Sequence, residues 1–347
     1  MPQKQGSLAA PDQAAELIEA LYEKGWTDGL PVVPPSPAAV VAMLAAAGLK
    51  GSDVVGEIEV RHVRITADKV ALNAVLAGCL PAYMPVVVSA VKALCHPTFG
   101  YHGPFTSTGG AALVLIVNGP AAPKLGINSQ DNAFGPGVRA NLTIGRALRL
   151  LMMNSLNTRT GKLDRSTLGN PGKIAFCFAE NEQDSPWEPL HVERGFMPGQ
   201  STTTVFAAEG TIQIYNQLAR TPEPLLLAMA DAIANLGSTC IVGQQGAVLV
   251  FAGEHAGMLR KSGWSKKQVK QFVFEHARRS AADMKRTGRM PGAVAAGDEN
   301  VWRRAMREPE DLLVVCAGGR AGSFSCCLMG WGSHSATHPV TTLIEGV

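Results

Sequence analysis

The residues best equipped for chemistry fall in one stretch, Phe176–Gly195, FCFAENEQDSPWEPLHVERG. It places Glu180, Asn181, Glu182, Gln183 and Asp184 at the exit of a strand, and His191, Glu193 and Arg194 beyond a turn through Ser185 and Pro186. Carboxylates beside an imidazole suit general acid–base catalysis, because burial and neighbouring charges move their pKa values toward neutrality. Glu180 or Glu182 would be the base and His191 the partner acid, with Glu193 a further carboxylate of the set. A metal-assisted variant would bind a divalent ion through His191, Glu193 and Glu180. The same residues also read as a solvated turn carrying an Arg–Glu pair.

Other segments offer groups for holding a substrate. The loop Gly126–Gly137, GINSQDNAFGPG, follows an apolar strand and leads into a helix over residues 139–154 that carries Arg139 and Asn141. Loops after buried strands are where α/β sheets bind ligands. Arg139 or Arg194 could clamp a carboxylate. Near the C-terminus, DLLVVCAGG runs into GGRAGS, where Gly318, Gly319 and Ser323 could form a nest of N–H groups for an anion. That run has no Lys-Ser/Thr and opens no helix with G-x-G-x-x-G, so no nucleotide cofactor is expected. His334 and His338 have a spacing that suits a metal on a helix. Ser, Gly and Pro around them argue against a helix there.

The elements that must position these groups read as an α/β (or α+β) chain, with mixed sheets and flanking helices. ALVLIVNG, GAVLVFAG and DLLVVCAGG are apolar throughout, as strands covered on both faces are. Residues 57–65, EIEVRHVRI, read as one strand with a bulge. The pattern MPVVVSAVKALCHP, GAALVLIVNG and a long helix recurs from Pro222 as PEPLLLAMADAIANLG, GAVLVFAGEH and SKKQVKQFVFEHARR. This predicts two diverged helix–strand–helix repeats. The division is an N-terminal half, 1–165, and a C-terminal half, 166–347, with the site between them. His255 would then follow the second strand where Asn118 and Gly119 follow the first.

DGLPVVPPSPAAVVAML, ALNAVLAGCLPAYMPVV, LIVNGP and CFAENEQDSPWEPLHVERGF together resemble an uncharacterised bacterial family. Its members begin with a DGLPVVPP-type motif and are associated with the UGSC family of (seleno)proteins. The resemblance covers most of the chain. It implies a multi-subunit or redox-linked setting, and hence a thiol- or selenol-linked partner subunit using Cys326 and Cys327. The UGSC signature itself does not occur in this sequence.

Composition bounds the remaining choices. With 347 residues, 46% hydrophobic and only 17% charged, the chain can build a large core. The net charge of +3 is not gathered into a stripe, so nucleic acid is not an expected partner. Seven cysteines without a C-x-x-C read as reduced, buried thiols. The opening MPQKQGSLAAPDQAAE has no apolar signal core, and the run Ala111–Val117 is too short to cross a bilayer. The expectation is a cytoplasmic homo-oligomer without nucleic-acid or membrane partners, with a partner subunit as a further option. It would be a hydrolase, hydratase or lyase acting on a small polar or anionic molecule, with no cofactor or a divalent metal. The alternatives are the redox partner subunit and a non-catalytic ligand-binding protein.

Overall fold

The structure is a computed structural model describing residues 11–347, so the opening segment read for a signal core lies partly outside the described residues. Its strands are β1 Val54–Ile58, β2 Val63–Thr66, β3 Ala112–Asn118, β4 Cys177–Ala179, β5 Thr202–Tyr215 and β6 Ala247–Phe251. Then come β7 Arg278–Ser280, β8 Trp302–Arg304, β9 Leu312–Cys316, β10 Phe324–Gly330 and β11 Val340–Leu343. The main sheet has the order β4-β3-β5-β10-β6-β9, with β11 added beside β5. The α/β class with mixed sheets and flanking helices is what the apolar strand runs predict.

The order is a palindrome. β3 pairs parallel with β4 and antiparallel with β5. β6 pairs parallel with β9 and antiparallel with β10. The two trios join where β5 meets β10, also antiparallel. Each trio is covered on its outer face by its own helices. Met84–Cys95 and Arg139–Asn154 pack with Leu115, Val117 and Val205. Pro222–Ile233 and Lys266–His276 pack with Leu249, Val314 and Cys327. Strand pairing ties residues 177–215 to β3, so no break in the sheet falls at residue 165.

The inner face explains why the strands are apolar on both sides. Val114, Phe178, Phe206, Val250, Val315 and Leu328, one from each of the six strands, meet in a single buried cluster. Apart from Leu190, no helical residue among the described residues joins that cluster. The sheet therefore covers itself by curling, and its two edges approach at one end, where Asn181 N–H donates to Cys316 O at 2.7 Å. Phe178 is fully buried there. Phe178→Ala is expected to cost about 3–5 kcal/mol in urea unfolding. A loss below about 1 kcal/mol would show that the inner face is not close-packed.

One local reading changes. Residues 57–65 are not one bulged strand. They are the hairpin β1–β2, closed by a 3-10 turn at Glu59–Arg61 with His62 left-handed at φ 51°. The change of phase at Val63 is the turn itself. The neighbouring Cys326 and Cys327 lie on β10, so they point to opposite faces, one into the inner cluster and one toward the helices.

Candidate active site

β3 and β4 are parallel, and their C-terminal ends open into a cleft of about 640 Å³. Gly119, Asn128, Gln130, Glu180, Asn181 and Glu182 are among its walls. The sheet is what brings them together. Glu180 N–H donates to Val117 O, which carries Glu180 and Glu182 to the end of the strand that finishes in Asn118. Gly119 follows at φ 82°, and a Cβ there would lie 2.2 Å from Gln200 O, so the chain can turn into the cleft only with glycine.

Asn118 is the hub. Its side-chain amide donates to Glu180 Oε2 at 2.6 Å and to Glu182 Oε1 at 2.9 Å. Glu182 Oε1 also accepts from Gly119 N–H at 2.7 Å. Glu180 Oε2 accepts from Leu190 N–H at 2.8 Å, which docks the short helix bearing His191. His191 Nδ1 is 3.7 Å from Glu182 Oε1, longer than a hydrogen bond. Behind them Thr202 faces Asn118 across the β3–β5 ladder.

Two features set this cluster apart. Glu180 is only 4% exposed. Burial pushes its pKa up to about 7, with Lys266, the Leu190 N–H and Asn118 opposing the rise and the Glu182 charge adding to it. Five buried polar atoms here have no hydrogen-bond partner: Glu180 Oε1, Asn118 Oδ1, Thr202 Oγ1 and both ring nitrogens of His191. Buried polar groups are nearly always paired, so such a concentration calls for a bound water or ligand group.

The other candidates from the sequence fall elsewhere. Glu193 is not in the cleft: it pairs with the buried Lys266, at 3.0 Å, and Lys270. The trio His191, Glu193 and Glu180 is therefore not assembled around one point. Asn141 acts one step back, holding Asn128 by bonds to its N–H and carbonyl at 2.8 and 3.0 Å. Arg139 is spent on the Gly78 carbonyl, and Arg194 on Thr341 Oγ1 and the Pro339 carbonyl. In GGRAGS, Glu254 already fills the turn, accepting from Gly322 N–H and from the Ser323 hydroxyl. Gly318 N–H donates to Ser129 O, and Gly319 lies against Asp131.

The palindromic sheet gives the cleft a counterpart. Ala317 N–H donates to Phe251 O as Glu180 N–H does to Val117 O. Ala252 and Gly253 thus match Asn118 and Gly119, and Ala317–Gly319 match Glu180–Glu182. His255 falls two residues further on than Gly119, and is buried between Ser325 Oγ at 2.8 Å and Asn216 O at 3.1 Å. The counterpart cavity, about 230 Å³, includes Gly253, Ala317, Gly318, Arg260 and Arg320, and shares Asn181 with the main cleft. Only the first half carries carboxylates at these positions.

Sequence reasoning did not assign roles to Asn118, Thr202 and Lys266. Asn118 could have been found as the single amide ending an otherwise apolar strand. Lys266 looks like the solvated start of a helix, and nothing in the sequence places it against Glu180. Comparison of the chain with protein-family models, curated proteins and solved structures found no match.

Proposed function

We propose that the protein is an enzyme acting on a small polar or anionic molecule by acid–base chemistry, of the hydrolase, hydratase or lyase type. The observation that carries this is Glu180, a buried carboxyl with a pKa of about 7 on the wall of a polar cleft, beside unpartnered polar atoms. A group with a pKa near the working pH is present in both forms and can both take and return a proton. Asn118 and the Leu190 N–H orient Glu180 Oε2. Oε1 is buried and makes no hydrogen bond, so it is the oxygen left to carry the proton, which it would exchange only once substrate or water reaches it from the cleft. Glu182 and the amides of Asn128, Gln130 and Asn181 would orient polar groups of the substrate, with His191 behind Glu182.

The thiol alternative fits less well. Burial pushes both cysteines up, Cys326 to about 12 and Cys327 well above its ordinary value, away from the reactive thiolate. The test is a panel of small hydroxy acids, amides and keto acids incubated in D2O and followed by NMR. Turnover or solvent-proton exchange should depend on one ionisation near pH 7. A panel hit that Glu180→Gln turns over as fast as the native protein would overturn the assignment.

A further inference from the structure

A second constellation lies at the N-terminal end of β9, whose C-terminal end meets the acid–base site at Asn181, and it takes no part in that site. One ligand atom each from Glu308, Asp311 and His334 lie within 4.8 Å of one another. His334 Nε2 is 3.0 Å from Asp311 Oδ1. Two ligands of a tetrahedral zinc, each about 2.0–2.1 Å from the ion, are roughly 3.3 Å apart, so these atoms are near that spacing. The His338 ring stands edge-on to His334, with centroids 4.6 Å apart and planes at 86°.

The supports of these side chains are already in place. Asp311 Oδ2 accepts from the N–H groups of Arg307 and Glu308 at 2.9 and 3.1 Å. The histidine segment is tied to elements of both halves of the chain, the helix Thr239–Gly243 and the turn Pro97–Phe99. His334 N–H donates to Gly243 O, and His338 N–H to Thr98 O. Between them Thr337 Oγ1 donates to Phe99 O at 2.6 Å. Ligands whose backbone and second oxygen are fixed this way lose little freedom on binding an ion.

We propose that Glu308, Asp311 and His334, with His338 completing the set, bind one divalent ion of the zinc class. Imidazole and carboxylate together favour zinc, cobalt or nickel over magnesium or calcium. The ion would clamp segment 333–338, which also bonds the helix Thr239–Gly243 and the turn Pro97–Phe99, to the turn before β9. It would be structural, since the five residues of β9 place the acid–base cleft about 16 Å away.

The test uses the full chain, stripped with a chelator and titrated with Zn2+ and with Co2+ at neutral pH. One equivalent should bind, with a rise in melting temperature and the visible absorption of tetrahedral Co2+. His334→Ala and Asp311→Asn should each weaken binding by at least the roughly 10–100-fold lost when a ligand's support is removed. Glu308 is exposed, so Glu308→Gln should fold normally and still weaken binding. His191→Gln should bind as the native chain does. No uptake of Zn2+ or Co2+, or uptake unchanged in both Glu308→Gln and His334→Ala, would overturn the site and leave His334–Asp311 a hydrogen-bonded pair.

Discussion

Glu180→Gln is expected to abolish acid–base turnover and, above neutral pH, to make the protein more stable. The activity loss should be on the order of 10²–10⁴-fold, because the amide can neither take nor return a proton. The stability gain follows from linkage. Burial raises the Glu180 carboxyl from an ordinary 4.5 to about 7, so the folded state holds this proton more tightly than the unfolded state. As pH rises from about 4.5 to 7 the unfolded chain gives the proton up first, and stability falls through that window. Above it the ionised group costs the fold roughly 3 kcal/mol, which glutamine does not incur. Its carbonyl can accept from Asn118 and Leu190 as Oε2 does. Thermal melts at pH 4.5 and pH 8 decide the matter. The variant should match the native protein at the lower pH and melt several degrees higher at the upper one. Equal melting at pH 8 would mean that Glu180 ionises as an ordinary exposed carboxylate. Gained stability with lost activity is the signature of a group kept strained for function.

Glu193→Gln should do the reverse, costing stability while sparing the chemistry. Among the described residues Glu193 is the one carboxylate bonded to Lys266 and Lys270, whose side chains are only 7% and 10% exposed. Removing one partner of a buried pair leaves uncompensated charge and typically costs about 3–5 kcal/mol. Burial raises the pKa of Glu193, but Lys266 and Lys270 outweigh it and hold the carboxyl below its ordinary value. Its contribution is therefore complete above the unfolded-state pKa and is lost as pH falls through the lower folded value. Urea unfolding at pH 7 should show the loss, shrinking toward pH 3. Loss of activity in a fully stable Glu193→Gln would instead make Glu193 a catalytic residue. Without Glu193, Lys266 would act on Glu180 unopposed, so the Glu180 ionisation should move to lower pH.

How much was legible depends on what each signal measures. The helix Arg139–Asn154 and the strands β3, β6 and β9 were readable because apolar runs, caps and glycine stops are local. Ser265 shows this: it caps its helix with Gln268 in a reciprocal box. Glu180, Glu182 and His191 were readable as a cluster because they follow one another within twelve residues. Asn118 lies 62 residues before Glu180, and only the β3–β4 pairing joins them.

By itself, then, the sequence determined an α/β chain with apolar strands and a doubled pattern, and a polar stretch after one strand. Those follow from periodicity and composition, which act over a few residues. Only the tertiary structure decided which groups are buried and what each one faces. It separated Glu180 in the cleft from Glu193 on the lysines. It turned Cys326 and Cys327 to opposite faces, and set His334 beside Asp311, 23 residues away. The reason is that burial and through-space charge fix a side chain's ionisation and its partner, and both arise only when the sheet curls and distant strands pair.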